Sequence, residues 1–232
     1  MKLRKAFVVS GLVVAVAVVL GSLALQFNVT RKALAQIAST YPVSAIVNRL
    51  QRYTIPSNNQ QCLSDLAKLD VAFKAQSGFT DGNGCSVQHA VRLARVGNVR
   101  LDNAPLLTCS MATQLAEFES NHLQPAAQSV LGSKIKRIKH LGTYNCRSMR
   151  QFKGVLSQHA YANAIDVSEF VTEDGKTINV ERDWKGEQDK SKFLNQIASS
   201  ACLSFRVSVS PDGEANHFNH FHWDTGLYRS CR

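Results

Sequence analysis

The chain has 232 residues, 44% hydrophobic and 19% charged, which excludes wholesale disorder and supplies enough apolar residues for a packed core. Its formal net charge of +10 suits anionic partners: lipid head groups, cell-wall polymer or nucleic acid. No basic stripe interleaved with aromatics and no nucleic-acid motif accompanies that charge, which argues against nucleic acid.

Ala6 to Leu25 is an uncharged run of Val, Leu and Ala, long enough as a helix to cross about 30 Å of hydrocarbon. Lys2, Arg4 and Lys5 precede it, so the positive-inside rule leaves residues 1–5 in the cytoplasm. A cleaved signal peptide is the competing reading, with Ser22-Leu23-Ala24 as a small-x-small site. The length of the run favours an uncleaved anchor over residues 6–27 of a bacterial inner membrane, single-pass, with the rest in the periplasm. Residues 28–61 read as a juxtamembrane linker, with Pro42 and Pro56 interrupting short helical stretches and a polar run up to Gln61. The folded domain is expected over 62–232.

Within that domain, 63–73 reads as a short helix or strand and Asp81 to Gly84 as a turn. Alternation over Val87 to Leu101 predicts a hairpin. Leu107, Met111, Leu115 and Phe118 recur at helical spacing, so a helix is expected over Thr108 to Leu123 with Thr108 as N-cap. Pro125 opens a further short helix that ends at Gly132. Ser133 to Leu141 predicts a basic strand with Ile135 and Ile138 inward and His140 at the surface. Ser157 to Ala162 reads as a loop and Ala164 to Val171 as a strand with Ala164, Asp166 and Ser168 on one face. A turn at Glu173 to Lys176 leads to a return strand over Thr177 to Val180. Phe193, Ile197 and Ala201 define a helix over Lys190 to Leu203, and strands follow over Ser204 to Ser210 and Phe221 to Asp224.

Six cysteines stand at 62, 85, 109, 146, 202 and 231, with no CxxC pair. Outside the cytoplasm such cysteines form disulfides. Fifteen pairings are open, and nearest neighbours suggest Cys62–Cys85, Cys109–Cys146 and Cys202–Cys231.

Four of the seven histidines fall in two short stretches, SQHAYANAIDVSEF from Ser157 and NHFNHFHWD from Asn216. Two imidazoles and a carboxylate, His159, Asp166 and His222, make a ligand set for zinc (Zn2+) that leaves one position open, the arrangement that activates water against a carbonyl carbon. His220 shares the strand face of His222 and is the candidate stabiliser of a developing oxyanion. His217 is the candidate general base or acid, since imidazole titrates near neutrality. Asp183, Trp184, Glu169 and Asp224 are candidates to orient an imidazole.

Those two stretches in this order resemble the bacterial extensin-like C-terminal domain family. The resemblance extends over most of Cys62 to Cys231, including LLTCSMATQLAEF, LQPAAQSVLG and YNCRSM. It also reaches the wider superfamily of lysostaphin, D-alanyl-D-alanine metallopeptidases and hedgehog, which share an HxxxxxxD and an HxH cluster around zinc. It implies an α+β, zinc-peptidase-like fold with a small antiparallel sheet and flanking helices. His159, Asp166 and His222 would be the ligands, and peptidoglycan stem peptides the substrate class. Two positions depart from the pattern. Asn219 stands where several of those peptidases have an acidic residue, while a branch with HxxHxH spacing uses histidines and points to His217. Ala162 stands where glycine is common. The expectation is therefore a membrane-anchored periplasmic zinc metallopeptidase acting on peptidoglycan. The alternative is a non-catalytic envelope module that keeps the fold and binds cell wall or protein.

Overall fold

The computed structural model describes residues 59–232, apart from 82, 83 and 187, together with positions 43, 44, 47 and 50. The expected anchor lies outside the described residues, as does nearly all of the expected linker. Among the described residues no helix is long and apolar enough to cross a membrane.

Helix α1 (Asn59–Leu66) leads into β1 (Val71–Gln76), a small hairpin of β2 (Phe79–Thr80) and β3 (Ser86–Val87), then β4 (Ala90–Val96) and β5 (Val99–Leu101). Gly97 begins the two-residue turn between β4 and β5 at a φ of +51°, a conformation glycine adopts without steric cost. After β6 (Leu106–Thr108) comes α2 (Cys109–Phe118). Thr108 is its N-cap, its hydroxyl accepting from the Met111 N–H at 3.2 Å. A π-turn over Glu119–Leu123 joins α2 to α3 (Gln124–Leu131), which Gly132 ends in the left-handed region at φ +69°. The Gln124 amide makes a reciprocal pair with the backbone of Ile135 at 2.8 and 2.9 Å, fixing where β7 (Ile135–Gly142) begins.

The remaining strands are β8 (Ala164–Thr172), β9 (Thr177–Asn179), β10 (Val207–Val209), β11 (Phe221–Asp224) and β12 (Ser230–Cys231). Between β9 and β10 lie α4 (Val180–Asp183) and α5 (Asp189–Ser204). Ten strands form one sheet in the order β1-β4-β5-β7-β8-β11-β10-β12, with β6 beside β4 and β9 beside β8. The α+β class holds, but the sheet is large, and β5–β7 and β10–β12 are parallel pairs. The small antiparallel sheet was what the resemblance implied; alternation itself identifies a strand by its two faces and carries no record of its neighbour's direction.

One face of the sheet is covered by helices. Val91, Leu93, Leu101, Ile138, Val167, Phe170, Phe221 and Trp223 from the strands meet Met111, Leu115, Phe118, Phe193, Leu194 and Ile197 in a single core. The intervening strand residues project to the opposite, open face. There a smaller cluster of Val87, Ala90, Leu106 and Ala162, with Tyr144 against it, seats the β2–β3 hairpin. Helix α5 buries Phe193, Ile197 and Ala201 on one stripe, as its periodicity requires. Among the expected boundaries that move, α2 ends at Phe118 and a π-turn carries the chain to Leu123, Val180 opens α4 rather than closing β9, and Ser204 ends α5 rather than opening a strand.

All six cysteines are paired, as Cys62–Cys109, Cys85–Cys146 and Cys202–Cys231. Only the last matches the nearest-neighbour expectation. α1 lies against α2 and brings Cys62 to Cys109, and the β2–β3 hairpin holds Cys85 beside the segment after β7 that carries Cys146.

Glu119 is buried, 4% exposed, with Gln124 donating to it at 2.9 Å and Gly97 tight against its carboxylate. Burial outweighs that hydrogen bond and raises its pKa. The folded state therefore holds the proton to higher pH than the unfolded chain. Its stabilising contribution is full below the unfolded value and is lost as pH rises through the folded one. Glu119→Gln is expected to raise the thermal midpoint at pH 7 relative to wild type and to lose that advantage near pH 4, as scanning calorimetry at the two pH values would read.

Candidate metal centre

Asp166 of β8 and His222 of β11 are antiparallel partners on the open face. What sets their register is the other face, where Ile165, Val167, Phe221 and Trp223 are fully buried. Trp223 stacks on Phe205 with ring centroids 5.1 Å apart and planes 6° from parallel. A slip of β11 by one residue would turn Phe221 and Trp223 outward, so the aromatic core dictates which polar residues meet above it.

His159 comes from the stretch expected to be a loop, which is a 3-10 turn over Gln158–Tyr161. The Ser157 hydroxyl caps it by accepting from the His159 N–H at 3.3 Å. Ala162 closes it in the left-handed region, φ +54° and ψ +29°, at a cost of about 1–2 kcal/mol for a residue with a Cβ. A glycine would adopt this conformation without that cost. The Ala162 methyl packs in the small cluster on the open face instead.

Three atoms converge. His159 Nε2 lies 3.2 Å from Asp166 Oδ1 and 3.2 Å from His222 Nδ1, and His222 Nδ1 lies 2.9 Å from Asp166 Oδ1. Ligands about 2.0–2.1 Å from one zinc at tetrahedral angles stand roughly 3.3 Å from each other. The outer nitrogens are also tied: His159 Nδ1 donates to the Thr143 carbonyl at 3.2 Å, and His222 Nε2 donates to Asp224 Oδ2 at 3.1 Å. Carbonyl and carboxylate oxygens only accept, so these bonds hold one proton on each outer nitrogen and aim both inner lone pairs at the Asp166 carboxylate. Three acceptors this close require a proton or a cation among them, and the donor set fits zinc.

Burial opposes ionisation of Asp166, but its hydrogen bonds with His159 and His222 prevail and hold it well below the usual carboxylate range. Burial likewise disfavours a charged His222, yet Asp166 and Asp224 push it up to about 10. A divalent cation held by these three atoms would displace the proton so retained.

The two further histidines lie at the same place. His220 Nε2 is 3.7 Å from Asp166 Oδ1, and its Nδ1–H donates to the Asn219 side-chain oxygen at 2.7 Å. Burial lowers its pKa, the Asp166 charge acting the other way. A neutral His220 oriented by Asn219 presents Nε2 as an acceptor. The ring centroid of His217 is 4.9 Å from that of His220 and 5.7 Å from that of His222, and burial, reinforced by those neighbours, brings it down to about 4. Its Nδ1 faces Glu214 Oε2 at 3.5 Å, a partner the sequence did not single out.

Of the four candidates for orienting an imidazole, only Asp224 touches one. Asp183 accepts from the Asn179 N–H, Trp184 lies in the core against Phe221, and Glu169 pairs with Lys139. His140 is half-buried, its Nε2 2.8 Å from the Asp102 carbonyl oxygen. The Thr143 carbonyl was beyond reach of sequence reading, because any residue supplies one. A second group, Asp81 with Cys85 and Cys146, also clusters, but its sulfurs form a disulfide.

Behind the centre Asn163 gathers the chain. Its side-chain oxygen accepts from the Thr108 and Thr225 hydroxyls at 2.8 and 2.6 Å, and its amide donates to Gln158 Oε1 at 2.9 Å. Gly226 lies so close to Gln158 that a Cβ would sit 2.6 Å from its amide. Gly226→Ala is expected to displace Gln158, and His159 with it, costing about 1–3 kcal/mol of stability in denaturant titrations. Asp224→Ala would weaken the hold on a zinc ion placed at this centre about 10–100-fold, read by competition with a chelator, because His222 loses the acceptor that fixes its tautomer.

Residues 60–232 match the family described as Extensin-like protein C-terminus. No curated protein and no solved structure matches the chain.

Proposed function

The chain belongs to the extensin-like C-terminal family, and from that premise we propose that it is a zinc-dependent hydrolase of peptide bonds in peptidoglycan stem peptides, anchored in the bacterial inner membrane with its folded domain in the periplasm. The observation that carries the reading is the convergence of His159, Asp166 and His222, with both outer imidazole nitrogens held by acceptors. Three disulfides support an oxidising compartment, and the net charge of +10 favours an anionic substrate.

His159, Asp166 and His222 would hold the metal, which supplies Lewis acidity for attack on a carbonyl at neutral pH. Asp166 contributes the one negative charge among the three. Thr143 and Asp224 keep the inner nitrogens unprotonated by holding the outer ones protonated. His220, neutral and oriented by Asn219, takes a proton at Nε2. The proton His220 takes up is the one it returns to the leaving amine, with His217, held neutral by burial, beside it as a second acceptor. Asn219 thus orients a base rather than serving as one, so the missing acidic residue does not empty the site of proton acceptors.

The test is incubation of the purified chain with muropeptides, with and without a chelator, beside His159→Ala. New amino termini in the metal-replete wild type alone support the reading. Identical products in every sample, or no product in any, would overturn it. One equivalent of zinc without cleavage would instead favour a binding module.

A further inference from the structure

The open face of the sheet carries a charge pattern that the metal centre does not use. The bulge at Ala94, where β4 shifts against β1, puts Arg92 and Arg95 on the same outward face, while Val91, Leu93 and Val96 face the core. Lys74 is the β1 partner of Arg92. Arg95 pairs in register with Arg100 of β5, and Arg100 with Arg137 of β7. Lys139 follows on the same face of β7, beside Glu169 of β8. Six cations thus stand on four adjacent strands, β1-β4-β5-β7, and the next strand is β8, which carries Asp166. At about 4.8 Å per strand the row is roughly 15 Å across, and the metal centre is one strand further.

Three of the six are matched by acids: Arg95 by Asp70 at 2.9 Å, Arg137 by Asp102 at 3.8 Å, and Lys139 by Glu169. Lys74, Arg92 and Arg100 are exposed and have no acidic partner among the described residues. Cross-strand like charges destabilise a sheet. The alignment of Lys74 with Arg92, and of Arg100 with two further arginines, is a cost that folding does not explain.

We propose that this row is the docking track for the anionic glycopeptide strand of peptidoglycan, whose stem-peptide carboxylates pair with Lys74, Arg92 and Arg100 while the scissile peptide reaches the centre on β8 and β11. The inference rests on the proposed hydrolase reading for its choice of polymer. Charge complementarity selects an anionic partner, and the shared face selects the substrate. A bilayer lying on this face would cover the metal centre. The outward strand positions of the row carry no aromatic on which a nucleic-acid base would stack.

The experiment measures co-sedimentation of the full chain, in detergent, with purified peptidoglycan sacculi and with neutral chitin, from 50 to 500 mM NaCl. The double variant Arg92→Gln/Arg100→Gln is compared with Arg92→Lys/Arg100→Lys. With two unpaired cations removed, the glutamine variant is expected to bind sacculi about tenfold or more weakly and with a flatter salt dependence. The lysine variant is expected to bind as wild type does. Unchanged affinity and salt dependence in the glutamine variant overturn the track, as does an equal loss on chitin. Charge-dependent binding by a chain that cleaves nothing leaves the track standing and removes the hydrolase reading.

Discussion

On the proposed reading, Asp166→Ala is expected to abolish zinc binding and hydrolysis together. Asp166 Oδ1 is the atom both imidazoles share, at 2.9 and 3.2 Å, and it supplies the only formal negative charge among the three converging side chains. Its removal leaves two imidazoles still held by Thr143 and Asp224, aimed at a point with no counter-charge. Changes at groups that merely orient a ligand lower metal affinity about 10–100-fold, so loss of one ligand in three should exceed that range. The activation a metal supplies is worth several kcal/mol, and about 4 kcal/mol corresponds to a thousandfold in rate. Metal content after dialysis and the rate of muropeptide cleavage measure the two effects independently. Asp166→Asn separates charge from shape, because it keeps the size of the side chain and forfeits the anion. A variant that retained one equivalent of zinc at wild-type affinity would show that the metal is held elsewhere.

The second large effect is expected from Cys85→Ser/Cys146→Ser. This bridge closes a loop of 61 residues, and constraining an unfolded chain to that extent is worth about 4 kcal/mol in the chain-entropy account. For a domain of this size the loss lowers the thermal midpoint by roughly 10 °C. The bridge is also local to the centre. Cys146 follows Asn145, whose N–H donates to the His159 carbonyl at 3.1 Å, and lies three residues after Thr143, which holds His159 Nδ1. Tyr144 OH donates to Asp81 at 2.8 Å and ties the same segment to the β2–β3 hairpin. On the proposed reading, freeing the sulfurs is therefore expected to weaken zinc binding as well. Cys202→Ser/Cys231→Ser closes a shorter loop of 29 residues at the far edge of the sheet and is expected to cost stability without that second effect. Chelator competition on the two variants, below their unfolding temperatures, distinguishes them.

Much of the fold was legible wherever a residue's role depends on its near neighbours in the chain. Thr108 caps α2 because its hydroxyl is three residues from the N–H it satisfies, and Gly132 ends α3 because the last turn needs a left-handed residue there. Phe193, Ile197 and Ala201 reveal the buried stripe of α5 through a period of 3.6. Alternation likewise put Ile165 and Val167 on one face of β8 and Asp166 on the other. The HxH pair and the HxxxxxxD stretch were visible as residue types suited to a metal, because ligand chemistry is written in the side chains.

Other features arose from the sheet. Pairing Cys62 with Cys109 and Cys85 with Cys146, instead of each with its nearest neighbour, follows from which helix lies on which and where a hairpin folds back. The parallel β5–β7 pair depends on a crossover through two helices. The meeting of His159 with His222, 63 residues apart, depends on the register of β8 against β11, which Phe221 and Trp223 impose from beneath. Local propensities act over a few residues and leave their mark as spacing. Register and crossover emerge from burying apolar faces shared by distant segments, and no short stretch of the chain records that shared burial.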